Sequence, residues 1–323
     1  MIIPQSAVIA ITLNCNARCT MCNIWQNHIQ NELAPDQYLK LPATLTDINI
    51  TGGEPFLRRD IVEIVRNMKI AAPRARLILN TNGFMTHKII EDMRQIIVID
   101  PHFAFRVSLD GIGKVHDTIR GIPGGYEKCM ETLRAVRALG VKDIGISFTL
   151  MQQNIDELPK IQQLCKEQGY EFSLTVVTNS PIYFGEKKED FRPKRNAKLD
   201  SILQHAAATH YQSYNPKEII RGWFVSRLLS YIKTGKRVLP CYAGSGFFYM
   251  DSVGNVYTCH MKPWIMGNIT KQSFPTILAN QHFAPRVASC NDCFMVCTVK
   301  SSMRHHLFKV AREALTGAIT AHI

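Results

Sequence analysis

The chain has 323 residues, 46% hydrophobic and 20% charged, which is enough for one large core with a smaller unit beside it. This composition excludes an intrinsically disordered chain, and no apolar run is long enough to span a bilayer. The formal net charge of +12 is uneven: residues 1–180 carry 19 Lys and Arg against 18 Asp and Glu, whereas residues 181–323 carry 19 against 8.

Short β-rich runs alternate with helical patterns six times, which is typical of parallel βα units. The predicted strands are residues 7–14, 46–51, 76–81, 103–109, 143–150 and 171–177. Apolar residues at three- and four-residue spacing predict helices at 59–70, 86–97, 126–139 and 155–167. Six units indicate an open, partial barrel rather than the eight units of a closed one.

The rest of the chain changes character twice. Residues 181–200 combine charge with Pro and Gly and are predicted to form a loop, followed by helical pattern over 199–231. Glycine, aromatic residues and cysteine dominate from Cys241, and residues 251–257 predict a hairpin. The predicted domains are a barrel (1–180), a charged loop with linking helices (181–240), a small loop-rich unit (241–300) and an amphipathic helix (301–323).

The chain has ten cysteines, and residues 1–14 lack the basic region and the small-residue cleavage site of a secretory signal. Cysteines in such a chain favour reduced thiols and metal ligation over disulfides, so we expect a cytoplasmic protein. Eight of the ten fall into two groups. Cys129 and Cys165 lie on predicted helices and are expected to be small buried residues.

Cys15, Cys19 and Cys22 follow the first predicted strand directly. Three thiolates leave one iron of a four-iron cluster without a protein ligand, so that a substrate can bind this iron. A structural cluster or zinc site uses four ligands, and the next cysteine along the chain is remote. The loop therefore predicts an open iron–sulfur site, with a structural metal as the alternative.

Glycine-rich or polar segments also follow the next three predicted strands. They are Thr51-Gly52-Gly53-Glu54-Pro55, Asn80-Thr81-Asn82-Gly83, and Ser108-Leu109-Asp110-Gly111 followed by His116-Asp117-Thr118-Ile119-Arg120-Gly121. Each segment alone is a common turn or loop sequence. Together, in order and each at the carboxyl end of a strand, they predict one shared site.

With the three-cysteine loop, these segments resemble the radical S-adenosylmethionine (SAM) superfamily, whose members have a partial (β/α)6 TIM-like barrel of the α/β class. The resemblance implies that Cys15, Cys19 and Cys22 hold a 4Fe–4S cluster that binds SAM. The further residues that it implies for binding SAM are Gly52, Gly53, Glu54, Pro55, Asn80, Asn82, Ser108, Asp110 and Arg120. One departure is Met21, where the family usually has an aromatic residue.

The second group of cysteines comprises Cys241, Cys259, Cys290, Cys293 and Cys297. It resembles the twitch or SPASM-type extension of the same superfamily, which binds auxiliary iron–sulfur clusters. The resemblance implies one auxiliary 4Fe–4S cluster on the first four of these residues. Cys297 either replaces Cys290 or stands free near the cluster. A zinc ribbon is the alternative, because two separated cysteine pairs are also its spacing.

The resemblance implies a radical SAM enzyme of the oxidoreductase or maturase type. Such an enzyme reductively cleaves SAM to a 5′-deoxyadenosyl radical and abstracts a substrate hydrogen, with electrons from a donor such as flavodoxin or ferredoxin. The auxiliary cluster would assist oxidation, crosslinking or epimerisation. The sequence identifies no particular catalytic residue.

The substrate stays open between a peptide, common among relatives with such an extension, and an anionic or phosphorylated metabolite, which the charge of residues 181–323 favours. For an anionic substrate we expect a contact from the loop cations Lys187, Lys188, Lys194 and Arg195. The alternative function is a nucleic-acid-modifying or nucleic-acid-binding protein with a structural zinc. Nucleic acid is not the partner that we expect.

The last segment has an apolar helical stripe from Leu307 to Ile319. Lys309 and Arg312 lie outside the stripe. Packing of this helix on the barrel is the main expectation, and contact with a membrane surface is the alternative.

Overall fold

The computed structural model describes residues 3–27 and 29–322, and an α/β sheet of nine strands organises these residues. The strands are β1 (Ser6–Thr12), β2 (Asp47–Gly52), β3 (Arg76–Thr81), β4 (Ala104–Ser108), β5 (Asp143–Leu150), β6 (Glu171–Val176), β7 (Phe247–Met250), β8 (Asn255–Tyr257) and β9 (Ile265–Asn268). Their spatial order is β6-β5-β4-β3-β2-β1-β7-β8-β9. The first six are parallel and neighbour one another in chain order.

Helices connect the strands and complete the chain. They are α1 (Ile61–Ala71), α2 (Thr86–Ile99), α3 (Lys114–Arg120), α4 (Gly125–Ala138), α5 (Glu157–Gln168), α6 (Ala197–Tyr211), α7 (Pro216–Thr234), α8 (Phe274–Ala279), α9 (Ala284–Ala288), α10 (Val296–His305) and α11 (Leu307–His322). The predicted partial barrel is confirmed: the six parallel strands form an open sheet, and β1 and β6 do not pair. In the part of the chain that is described, no helix is long and apolar enough to cross a membrane.

The side chains of the barrel strands divide between two environments. On β2 and β3, Ile48, Ile50, Leu77 and Leu79 are fully buried in the core that the helices cover. The residues between them alternate to the opposite face of the sheet and line a cavity. The strand period of two thus separates an apolar core from a polar interior.

The C-terminal part extends the barrel's own sheet. Strand β7 pairs in parallel with β1, from Ser6 opposite Phe247 to Ile9 opposite Met250. Strands β8 and β9 then add antiparallel pairs. The predicted hairpin is present, and the Asp251 carboxylate fixes its turn by accepting hydrogen bonds from the backbone N–H groups of Val253 (3.1 Å) and Asn255 (2.8 Å).

A second apolar cluster occupies the junction between β1 and β7. Val8, Ala10, Phe247 and Tyr249 are buried in it. Cysteines of both groups pack against or within this cluster: Cys15 and Cys22 from the first, and Cys241, Cys259, Cys293 and Cys297 from the second. The two cysteine groups therefore border one continuous apolar region.

The helical region after the barrel differs from the single pattern predicted over 199–231. It is divided into α6 and α7, because Asn215 accepts a hydrogen bond from the Lys217 N–H (2.9 Å) and Pro216 begins the new helix. The short helix α3 was not predicted. It lies within the polar segment after β4, and it ends at Gly121, whose backbone is in the left-handed conformation.

Candidate active site

The three-cysteine loop lies at the carboxyl end of β1 and is held by backbone hydrogen bonds from its neighbours. The Arg18 N–H donates to the Arg120 carbonyl (3.1 Å), and the Thr20 N–H donates to the Ile119 carbonyl (2.8 Å). Trp25 Nε1 donates to the Cys22 carbonyl (3.1 Å). The loop is thus fastened to α3, which follows the fourth strand, although the two are separated by about a hundred residues of sequence.

The three thiols are shielded from solvent. Burial raises the pKa of Cys15 to about 11 and that of Cys22 to about 12, and it also raises the pKa of Cys19. Thiols in this environment stay protonated unless a metal replaces the proton. Arg120 adds a positive charge, since its guanidinium donates to Cys19 Sγ (3.8 Å) and its own pKa is raised by Asp110 and Cys19 despite burial.

Gly52 and Gly53 end β2 directly against the backbone that leads to the cysteine loop. A side chain at Gly52 would place its Cβ 2.1 Å from the Thr12 carbonyl oxygen, and one at Gly53 would lie 2.0 Å from that of Asn14. Gly52 also has φ of 147°, which other residues rarely adopt. The glycines therefore allow the end of β2 to pack against the end of β1, and both line the cavity.

Glu54 is fully buried and joins the loop after β2 to the loop after β3. Its carboxylate accepts hydrogen bonds from the Thr81 hydroxyl (2.8 Å) and the backbone N–H groups of Asn82 (2.7 Å) and Phe56 (3.2 Å). Burial raises its pKa to about 7, against the effect of these bonds. Glu54 lies behind the cavity wall, and it orients Asn82, which faces the cavity.

The other residues predicted for the SAM site are brought to the same region. Gly52, Gly53, Asn80, Asn82, Ser108 and Arg120 line the cavity, as do Cys15, Cys19 and Cys22. Pro55 and Asp110 are buried behind them. Asp110 forms an ion pair with Arg120 (2.6 Å) and accepts a hydrogen bond from the Thr149 N–H (2.9 Å), so that it positions the guanidinium.

Four members of the second cysteine group share the apolar cluster at β1 and β7: Cys259 and Cys293 are buried in it, and Cys241 and Cys297 pack against it. Burial raises the pKa of the thiols of Cys241, Cys259, Cys290 and Cys297. Arg237 donates to the Cys293 carbonyl (2.8 Å) and approaches its sulfur (3.9 Å). Of the five thiols, Cys297 is the one that lines the cavity. In the described ranges, no three His, Cys, Asp or Glu side chains converge as a site for a single metal ion.

A cavity of about 810 Å³ connects the two ends of the barrel interior. It begins at the cysteine loop and reaches Asp47 and Arg76 at the amino ends of β2 and β3. Its volume lies in the upper part of the range of about 300–1,000 Å³ that small-molecule sites occupy. The cavity thus offers space for an organic molecule beside the cysteine loop.

The cations of the cavity wall outnumber its carboxylates. They are Arg76, Arg106, Arg120, Lys217, Arg221 and Lys300, whereas Asp47 is the carboxylate that lines the cavity with them. Two groups of cations each share one acid: Arg76 and Arg106 contact Asp143, and Lys300 shares Asp47 with Arg304. Each of these two groups retains excess positive charge, whereas Lys217 and Arg221 are balanced by Glu171 and Glu218. The loop cations Lys187, Lys188, Lys194 and Arg195, for which an anion contact was expected, do not line the cavity.

Tyr183 and His260, which sequence reasoning did not identify, lie where the barrel meets the C-terminal unit. The Tyr183 hydroxyl donates to the Gly52 carbonyl (3.1 Å) and is 2.7 Å from the Thr51 hydroxyl. The ring of Tyr183 packs edge-on against His260, with centroids 5.8 Å apart. His260 lines the cavity and is 3% exposed, and neither ring nitrogen has a hydrogen-bond partner in the described chain. Burial lowers its pKa to about 4, so the imidazole is neutral.

The expectations for the two remaining cysteines are confirmed. Cys129 and Cys165 are both buried. Cys129 supports the site from behind, because its thiol donates to the Asn82 carbonyl (3.1 Å).

Two family models match this sequence. The model of the radical SAM superfamily matches residues 9–165, and the model of an iron–sulfur cluster-binding domain, SPASM, matches residues 241–297. These ranges contain the first and the second cysteine group, respectively.

Similar proteins include the AdoMet-dependent heme synthase of Methanosarcina barkeri, which is 28% identical over 305 residues, covering 86% of this chain and 82% of that protein. A probable GTP 3′,8-cyclase of Sulfurisphaera tokodaii is 22% identical, covering 78% of this chain and 79% of that protein. Among solved structures, anSMEcpe with bound AdoMet superimposes with a TM-score of 0.62 at 15% identity, covering 96% of this chain and 99% of that one.

Proposed function

Because the chain belongs to the radical SAM superfamily and carries an iron–sulfur cluster-binding SPASM domain, we propose that it abstracts a hydrogen atom from a small organic anion bound inside the barrel. The observation that carries this proposal is the cavity, which joins the three-cysteine loop to a wall with excess positive charge. The reacting end of the substrate would lie near the cysteine loop, and its anionic group would lie deeper in the barrel.

The two domains imply SAM and 4Fe–4S clusters as cofactors, and SAM bound at the first cluster would supply the radical chemistry for hydrogen abstraction. The residues present fit this group. Three thiols share one loop, that of Cys19 buried and those of Cys15 and Cys22 half-buried, and the Cys129 thiol donates to the Asn82 carbonyl (3.1 Å). Cys15, Cys19 and Cys22 would hold the cluster, with one iron left for SAM.

The protein's own contribution at this site is positioning. Gly52, Gly53, Asn82, Ser108 and Arg120 line the cavity together with the cysteines. They offer acceptors and donors to the amino, hydroxyl and carboxylate groups of SAM. Glu54 and Asp110 do not line the cavity themselves. Glu54 accepts a hydrogen bond from the Asn82 N–H and Asp110 pairs with Arg120, so that they hold these two residues in place.

The second cysteine group suits an auxiliary 4Fe–4S cluster on Cys241, Cys259, Cys290 and Cys293. The five thiols of this group are one more than the four ligands that such a cluster takes. Cys297 differs from the others by facing the cavity, so it is the thiol of this group that a substrate can touch. Cysteines of both groups pack against or within the apolar cluster at β1 and β7, so the two sites border one apolar region.

Two observations favour an anionic small molecule as substrate. Arg76 and Arg106 share Asp143, and Lys300 shares Asp47 with Arg304, so both groups keep excess positive charge, and burial strengthens their field. The similar proteins are named for haem and for GTP, which carry carboxylates and phosphates, respectively. His260 adds a neutral, unpartnered hydrogen-bonding group to the same cavity, which suits a polar substituent of the substrate.

The test removes positive charge from the cavity without leaving a carboxylate unpaired. In the double variant Arg76→Gln/Lys300→Gln, Asp143 keeps Arg106 and Asp47 keeps Arg304. The matched control is Lys187→Gln/Lys194→Gln, which removes the same charge from the loop outside the cavity. The probes are GTP and haem, measured by equilibrium dialysis under anaerobic conditions.

We expect at least one probe to bind the wild-type protein, and the cavity variant to weaken its affinity by about tenfold or more. The control should bind like wild type. An anionic substrate in this cavity is ruled out if neither probe binds at millimolar concentration, or if the cavity and loop variants behave alike. Stimulation of SAM cleavage by an uncharged peptide would then favour the peptide alternative.

A further inference from the structure

Helix α11 is anchored through one narrow face. Val310, Ala314 and Ala318 are buried in the main core, and the helix packs on α6 and α7. The Glu313 carboxylate accepts a hydrogen bond from Trp223 Nε1 (2.9 Å) and pairs with Arg227 (3.3 Å). The small residues Ala314 and Ala318 let α11 approach α6 and α7 closely. The hydrogen bond and the ion pair of Glu313 fix which face of the helix is turned inward.

The outward face of the same helix is apolar and open to solvent. Phe308 is 95% exposed, Leu315 is 55% exposed and Ile319 is 61% exposed. With Ala311, which is also exposed, they recur at intervals of three and four residues and therefore form one strip, the α11 strip. Single exposed apolar residues are ordinary, but a contiguous helical strip with a nearly fully exposed Phe indicates an interaction surface.

Positive charge borders the α11 strip. Lys309 and Arg312 are exposed beside it, and within the described residues neither forms an ion pair with a carboxylate. Glu313 is the one acidic residue in the sequence after Asp292, and it faces inward to Trp223 and Arg227. The outward face thus combines apolar side chains with uncompensated cations.

A second copy of the chain does not suit this surface. A stable dimer buries about 800 Å² on each partner, which four exposed side chains of a single helix do not provide. In a symmetric pair the strip would meet itself, so that Lys309 and Arg312 would lie close to their own copies. An anionic surface satisfies both the cations and the apolar strip.

We propose that α11 docks the enzyme on the surface of an anionic lipid bilayer. The side chains of Phe308, Leu315 and Ile319 enter the boundary between headgroups and acyl chains, and Lys309 and Arg312 contact lipid phosphates. This is the arrangement of interfacial amphipathic helices, whose binding combines buried apolar area with attraction to anionic lipids. The inward face of α11 stays on α6 and α7, so docking needs no unfolding of the helix.

The test is cosedimentation of the reconstituted full chain with vesicles. Vesicles of phosphatidylcholine alone are compared with vesicles of phosphatidylcholine and phosphatidylglycerol at three to one. We expect binding to the anionic vesicles, and the affinity should fall as salt screens the cations. Absence of binding to both kinds of vesicle overturns the proposal.

Two pairs of variants separate the apolar and the charged contributions. Phe308→Ser/Leu315→Ser should weaken vesicle binding by about tenfold or more, whereas Ile70→Ser/Val98→Ser, which removes exposed apolar residues from α1 and α2, should leave it unchanged. Lys309→Gln/Arg312→Gln should weaken binding to anionic vesicles by a similar factor. Its control is Arg66→Gln/Arg94→Gln, with the same charge change on exposed barrel positions.

Equal vesicle binding by the test and control variants overturns the proposal. Light scattering after size-exclusion chromatography measures the oligomeric state of the same proteins. A dimer that Phe308→Ser/Leu315→Ser dissociates would assign the α11 strip to a second copy and overturn lipid docking. Thermal unfolding of each variant near the wild-type temperature shows that the fold is retained and that the vesicle data report on the surface.

Discussion

Glu54 supports the geometry of the proposed SAM site through three accepted hydrogen bonds in a fully buried position. The Glu54→Gln substitution keeps the side-chain volume, but it replaces one carboxylate oxygen with an NH2 group. This NH2 group faces N–H or O–H groups that are themselves donors. We expect affinity for SAM to fall by about tenfold or more, the usual effect of losing hydrogen bonds to a buried charge. Iron content should stay near wild type, because the cysteines are untouched.

Equilibrium dialysis with SAM and an iron assay check this expectation. Glu63→Gln is the matched control, since Glu63 is exposed on α1 and far from these bonds. Unchanged SAM affinity in Glu54→Gln would show that the loops after β2 and β3 hold their positions without the carboxylate.

The sequence sufficed for residues that belong to local patterns and failed for residues defined by distant contacts. The first cysteine group and the Gly52-Gly53 turn stand directly after predicted strands, and the structure brings them to one cavity. Tyr183 lies in a charged loop, and its partners at Thr51 and Gly52 are more than 130 residues away. The one local signal for His260 was its position immediately after Cys259.

At the scale of elements, the hairpin of β7 and β8 and the start of α10 bring the second cysteine group together. We predict that a variant with Cys15, Cys19 and Cys22 all replaced by Ala still binds about four irons and four sulfides in this group. Metal and sulfide analysis of the anaerobically reconstituted variant checks this. About one zinc per chain without sulfide would contradict it and support the zinc alternative.

Strand prediction was accurate because β-branched and apolar runs in this chain are short and bounded by turn residues. The predicted 76–81 and 143–150 match β3 and β5 to the residue, and the other four barrel strands differ by no more than two residues at either end. Pairing between β1 and β7 carried no sequence signal, because about 240 residues separate the partners. That pairing extends the barrel sheet into the C-terminal unit and places the two cysteine groups on one apolar cluster.

At the scale of the whole molecule, the two ends of the chain cooperate at one cavity. Cysteines from residues 15–22 and Cys297 line it together, and its cations come from the barrel and from α7 and α10. The excess of Lys and Arg in residues 181–323 is therefore divided between the cavity and the outer surface. Lys217, Arg221 and Lys300 face the cavity, whereas Lys309 and Arg312 lie on the outer surface.

The most direct test of this account is SAM cleavage by the anaerobically reconstituted and reduced enzyme, with 5′-deoxyadenosine and methionine quantified by mass spectrometry. The wild-type enzyme should form both products, and Cys165→Ala should do the same because Cys165 is buried on α5 away from both groups. Cys15→Ala, Cys19→Ala and Cys22→Ala should each reduce cleavage to the background of SAM and reductant alone. Wild-type cleavage by the variant that lacks all three cysteines would contradict the assignment of the first cysteine group to the SAM-binding cluster.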